Sequence, residues 1–430
     1  MDQDLQDIAN KIIKYLDQKN IQYCDVRADQ QIKNSALIEN NDIEYIKNNE
    51  NKGIGVRLIK NGTWSFCSIT NPNSFDKIKN ILDNTIKNLD YKNIKNKKIK
   101  LHSNPANKRE INFPVLKKTD IEELIKTGLE CNKIINSTPK IIKSITHASH
   151  TTNSKYFVNS EGSEILQNFT DVIMEMVATA HESGQTQSVN ITEGGRGGLE
   201  LITNKIQQSA KEISKKASEL IYAKPVKEEK ATVVMNPDFV SLLTHEILGH
   251  PSEADRVLGK EMAWAGGAWW KGKIGEKIGS EKLNVFDDPT IKESLGWYYF
   301  DDEGVETKKT TLVEKGVLKN HMQNRETSEI FNTIPTGNMR ATDYRFMPLI
   351  RMACTCIGNG DQNVNEIIKD VKNGYYISNM KVPSIDMNRH NWNISCQYAQ
   401  KIENGEITNL LRDVIVMGTA PEFFNSIDAC

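Results

Sequence analysis

The chain is poor in the residues that mark several protein classes. Seven cysteines in 430 residues are too few, too scattered and odd in number for a disulfide framework. A reducing cytoplasm is therefore the expected compartment. No apolar run approaches the ~18 residues of a membrane span, and the start, MDQDLQDIANKIIKYL, lacks the basic, unbroken apolar character of a signal peptide. A soluble protein with no membrane partner is expected. Charge of one sign is missing too: 55 basic against 56 acidic residues leave a net charge of -1. Duplex binders carry a clear basic excess or stripe, so no nucleic-acid partner is expected. The lysines of Lys92–Lys100 alternate with Asn and Ile and read as a solvated loop.

What is present is a pattern of short strands and amphipathic helices. Leu5, Ile8, Ile12 and Leu16 share one helical face, and 74–89, 121–135 and 201–222 also have helical spacing. Between them, strands are expected at 23–28, 36–38, 43–46, 54–59, 63–69, 141–147 and 155–158, with 164–180 extended. Asn61-Gly62 marks a hairpin turn. The glycine cluster Glu193–Gly198 (EGGRGG) lacks the spacing of a phosphate cradle and reads as a tight turn or a close backbone approach. Beyond the charged, proline-containing stretch 223–230, strands dominate: 296–300, 310–313, 317–322, 349–356, 396–402 and 407–416, with turns at Lys315-Gly316 and Asn404-Gly405. The fold class is α+β: an N-terminal α/β mixed-sheet domain, 1–224, then a β-rich, mainly antiparallel C-terminal domain, 225–430.

Histidine is also scarce, eight in all, yet two fall in one eight-residue stretch, THEILGHP. On a regular α-helix, residues five apart diverge by about 140° and could not share an ion. Gly249 is a common C-terminal breaker and Pro251 disfavours the α region for His250. The helix, capped by Asn236 with Pro237 in its first turn, is therefore expected to end at Leu248 or Gly249, with His250 extended and folded back towards His245. His245 and His250 are the candidate metal ligands. Glu246 is the candidate general base on a metal-activated water. The competing reading makes the histidines capping or hydrogen-bonded surface groups. A catalytic zinc needs three protein ligands, and Cys354, Cys356, Cys396, Cys430, His321, Glu253 and Asp255 are the candidates for the third, the two acids also for orienting a histidine. His147, His150 and His181 have no framing carboxylate. Trp264, Trp269 and Trp270, in a glycine-rich stretch after the motif, suit a lid, a substrate wall or an interface anchor.

HEILGHPSEAD resembles the His-Glu-x-x-x-His motif of the TldD/PmbA metallopeptidases, also called modulators of DNA gyrase. The likeness extends through YCDVRADQ, NKGIGVRLIKNGTWSFCS, SVNITEGGRGG, YYFDDEGVETKKTTLVEKGVLKNHMQNRETS, PTGNMRATDYRFMPLIRM and IENGEITNLLRDVIVMGTAPEFFNSIDA. It implies a zinc-dependent peptidase (Zn2+) that cleaves unfolded or extended peptides taken up as an added strand, in a homodimer or a heterodimer with a PmbA-like paralogue. This chain would be the metal-bearing subunit. The family's third ligand is a cysteine in a glycine-rich turn beyond the Ile-Asp-Ala segment, so the C-terminal domain is expected to be truncated after Cys430. A chain with an incomplete metal site could instead serve as a non-catalytic peptide-binding or partner subunit.

Overall fold

The computed structural model describes residues 1–90, 98–203, 205–262 and 266–430; the 92–97 part of the lysine-rich stretch, and Trp264, lie outside these. The first sheet is built from long strands: β1 (Tyr23–Glu39), β2 (Asp42–Lys60), β3 (Thr63–Thr70), β4 (Lys108–Asn112), β5 (Ile141–Asn159), β6 (Glu164–Glu182) and β7 (Gln185–Arg196). Their order is β3-β2-β1-β5-β6-β4, with β7 also on β6. All pairs are antiparallel except β4 with β6. Helices α1 (Gln3–Leu16) and α2 (Phe75–Asp90) share a core with Val26, Ala28, Val56 and Leu58. Helices α3 (Ile121–Asn136) and α4 (Ile206–Leu220) share a second core with Val172, Met174 and Met176 of β6.

Several expected strands prove to be parts of longer ones. β1 runs without a break through the polar segment DQQIKNS, because β2 and β5 pair with it on both edges and satisfy its backbone. β5 likewise joins 141–147 to 155–158. The glycine cluster is a close backbone approach: its first part ends β7 and Gly197 and Gly198 follow it, and a Cβ on Gly195 or Gly198 would overlap the carbonyl oxygen of Glu293 or Lys117. The helix expected over 201–222 is divided into Glu200–Thr203 and α4.

Strand alternation explains why β1 is polar at alternate positions. Cys24, Val26 and Ala28 face α1 and α2, so Asp25, Arg27 and Asp29 face the C-terminal part of the chain, and all three are buried. Arg57, opposite Asp25 in the register, bonds Asp25 (3.1 Å from Nε) and crosses to Glu303 (3.1 Å). Arg27 and Lys155 both reach Asp302, each at 3.4 Å. Gly53 and Gly55 lie on the same face, where a Cβ at either would overlap the fully buried Tyr344.

The second sheet contains β8 (Thr232–Met235), β9 (Asn373–Ile385), β10 (Asn391–Glu403), β11 (Glu406–Arg412) and β12 (Ile415–Thr419). The β9–β10–β11 and β10–β12 pairs are antiparallel, and β8 runs parallel to β9. The expected strands at 296–300, 317–322 and 349–356 are mostly irregular: only 317–318, 349–350 and 355–357 are extended in pairs. Buried carboxylates take the place of ladder partners there. Asp301 accepts from the backbone N–H groups of Glu303, Val305 and Met339, and Asp287 from that of Ala353. Among the described residues no helix is long and apolar enough to cross a membrane.

Candidate metal centre

The helix that carries the motif starts as its sequence dictates. Asn236 is extended, its side chain accepts from Phe239 N at 3.0 Å, and Pro237 opens α5 (Pro237–Thr244). Phe239 and Leu243 anchor it in the C-terminal core. Its end differs from expectation. Gly249 and His250 both keep right-handed helical angles, and α5 runs on as a π turn over His245–Gly249, then a short 3-10 turn, His250–Ser252.

The π turn resolves the spacing problem. Its hydrogen bond runs from the N–H of His250 to the carbonyl of His245, five residues back, so residues five apart come to lie over one another. The two imidazole rings stand 4.5 Å apart between centroids at 78°. No fold-back is needed. The wider turn also suits Pro251, which has no N–H to give to the preceding turn. Gly249 is not there as a breaker: a Cβ at that position would overlap Sδ of Met352.

The π turn and the short 3-10 turn after it leave main-chain carbonyls short of donors, and here side chains supply them. Trp269 Nε1 donates to Ile247 O at 2.9 Å, Trp270 Nε1 to Pro251 O at 2.6 Å, and Ser252 Oγ to Leu248 O at 2.8 Å. The expectation of a lid or interface for these tryptophans is thus corrected for Trp270, which is wholly buried and clamps the motif from within.

Ligand atoms of His245, Glu246 and His250 all lie within 4.8 Å of one another. Glu253, fully buried, has Oε2 3.1 Å from Nδ1 of His250 and 2.8 Å from Nε of Arg256. Arg256 Nη2 also lies 3.1 Å from that Nδ1, but a guanidinium can only donate, so it cannot bond a protonated Nδ1. With the proton on Nδ1 and given to Glu253, the Nε2 lone pair of His250 is free for an ion. Burial, with Arg256, His245 and Arg389 nearby, pushes the His250 pKa far below its usual value, which keeps the ring neutral. Burial raises Glu253 to about 7. A neutral imidazole pair beside a carboxylate is a donor set that fits a divalent transition ion.

The other candidates for a third ligand lie elsewhere. Asp255 accepts from the backbone of Arg256 and Ile350, at 2.8 and 3.2 Å. Cys354 meets Ser294, Cys356 donates to Cys354 O, and buried Cys396 donates to Tyr398 O. Cys430 O accepts from Gln362 N, and His321 packs on Phe331. Among the described residues, none of these joins the His245–Glu246–His250 group. One functional neighbour had no sequence signal at all. Arg389, 143 residues from Glu246 and at the tip of the β9–β10 hairpin, donates through Nη1 to Glu246 Oε2.

Among the described residues, His245, Glu246 and His250 form a group that could hold a metal ion, and likeness to known proteins places this α+β chain among the metallopeptidases. Three family models describe the chain: PmbA/TldA metallopeptidase domain 1 over 24–89, its central domain over 114–222 and its C-terminal domain over 228–430. A metalloprotease of Methanocaldococcus jannaschii is 32% identical over 95% of this chain and 89% of its own length. The zinc metalloprotease TldD homolog of Saccharolobus solfataricus is 28% identical over 97% and 90%. The chain belongs to the PmbA/TldD metallopeptidase family. The crystal structure of TldE from Thermococcus kodakarensis shares the fold, with a TM-score of 0.81 at 20% identity over 98% of this chain and 93% of that one. A Thermotoga maritima protein matches at 0.84 and 18%, over 99% and 94%.

Proposed function

We propose that this chain is a zinc-dependent peptidase of the TldD type, with His245 and His250 as metal ligands and Glu246 as general base. The observation that carries the reading is the π turn, which brings two neutral imidazoles and one carboxylate within reach of a single ion. When bound, zinc acts as a Lewis acid on the scissile carbonyl and lowers the pKa of water to about 7. Glu253 holds His250 through Nδ1, Arg256 holds Glu253, and Glu246 takes the proton of the attacking water and returns it to the leaving amine.

The substrate class we assign is unfolded or extended peptide. Beyond its pairing with β8 at 374–377, the outer edge of β9 has no strand partner among the described residues, and Pro383 in it is an edge-strand residue. A peptide added there would lie along a strand leading to the hairpin tip at the site. We divide the chain into domains 1–224 and 225–430, place it in the cytoplasm on the strength of seven unpaired cysteines, and expect it to work as a homodimer or with a PmbA- or TldE-like partner.

Substitution of Glu246 by Gln tests the reading. Hydrolysis of an unfolded protein substrate is expected to fall at least about 10²-fold with metal content unchanged. Wild-type hydrolysis by this variant would rule out Glu246 as base.

A further inference from the structure

The β9–β10 tip is held far more firmly than a solvent-facing turn needs. Asp386 braces it: Oδ1 accepts from the backbone N–H of Asn388 and His390 at 3.0 and 2.9 Å, and Oδ2 from the N–H and side chain of Asn391 at 2.8 and 2.6 Å. Within that brace Arg389 has φ 62°, a left-handed conformation unfavourable for a side chain of this size. The tip is also tied to the segment that clamps the motif. Gly267 N donates to Met387 O at 2.7 Å, and a Cβ on Gly266 would overlap the same carbonyl. Two and three residues on from Gly267, Trp269 bonds the π turn that bears Glu246 and Trp270 the 3-10 turn that continues it. Hairpin tip, tryptophan segment and π turn thus form a closed ring of contacts, and the Arg389–Glu246 ion pair completes it. Both side chains are about 15% exposed, at 14 and 16%.

We propose that Arg389 is a positioning residue for Glu246: the guanidinium holds the carboxylate through Oε2 and leaves Oε1 as the oxygen that exchanges the proton. This rests on the reading of Glu246 as general base. Asp386 already makes the turn, so the ion pair is not needed to form it. Its geometric effect falls on the rotamer of one carboxylate. A guanidinium presents its N–H donors in a fixed planar fork where an ammonium is a compact point charge on a flexible stem, so lysine should replace it only in part.

The test compares Arg389→Gln, Arg389→Lys and Arg389→Ala in the metal-loaded full chain. For Arg389→Gln the expected result is an unchanged metal content and KM with kcat lowered about 10²-fold. Arg389→Lys should recover part of kcat, and so should millimolar guanidinium added to Arg389→Ala. In the Glu246→Gln background, Arg389→Gln should cost nothing further, because the two groups act as one unit. A kcat for Arg389→Gln within twofold of wild type, or full additivity with Glu246→Gln, would overturn the assignment while leaving the base reading intact. Wild-type activity of Glu246→Gln alone would overturn both.

Discussion

At the scale of single residues, the C-terminal half is governed by ionisable groups taken out of water. His321 is 1% exposed, its Nδ1 has no partner among the described residues, and burial lowers its pKa from 6.5 to about 4. The folded ring therefore stays neutral over a range in which the unfolded chain takes up a proton. Above pH 6.5 both states are neutral and the full stability is present; between 6.5 and about 4 it falls as pH falls, by roughly 3 kcal/mol in all. Urea denaturation of wild type and His321→Leu across this range should show the wild type losing that much more. Equal acid slopes would show that His321 does not titrate in this way. The motif residues obey the same logic: His250 is kept neutral by burial and by Arg256, which suits it to an ion and not to a proton.

At the scale of elements, the decisive piece is the π turn and what satisfies it. Replacing Trp270 by Phe keeps an apolar ring but strips the donor from the buried Pro251 carbonyl. It is expected to cost about 1–3 kcal/mol in denaturant melts and to weaken metal binding about tenfold or more. Wild-type metal affinity in this variant would show that the clamp does not shape the site. The three polar residues of the candidate site, which the structure brings together, can be picked from the sequence by residue type and spacing, and so can the Asn236 cap and Pro237. The turn that joins them cannot, because a 3.6-residue period is the ordinary assumption and Gly-His-Pro reads as a stop. Gly249 has a packing reason, Met352, which lies about a hundred residues downstream and leaves no local trace. Arg389 likewise stands in a polar turn that sequence alone cannot connect to Glu246. Strand lengths were underread for a related reason: β1 is polar where it meets a second layer of the molecule, and polarity is also what marks a loop.

At the scale of the whole molecule, the first sheet and the C-terminal half are joined by buried charge as well as by apolar packing of Phe113, Phe157 and Ile165 with Trp297, Tyr298 and Phe300. Arg57 bonds Asp25 within its own sheet and Glu303 across the junction, with all three side chains at most 2% exposed. Arg57→Met would leave two carboxylates buried without their cation. A loss of about 3–5 kcal/mol is expected in urea denaturation. A loss below about 1 kcal/mol would mean that the junction tolerates the uncompensated charge. The consequence for function is rigidity: the loop 301–304, held by Arg57, Arg27 and Lys155, also fixes the backbone of Met339 and Ala341. Ile350, further along that segment, accepts the side chain of Arg351 and donates to Asp255, beside the residues that orient His250.

The central claim is that His245 and His250, brought together by a π turn, hold one divalent ion. It is tested most directly by elemental analysis of the purified chain beside His245→Ala and His250→Ala. The account predicts about one zinc per chain in the wild type and a loss of most of it in each variant. Equal zinc in all three proteins, or none in the wild type, would contradict it.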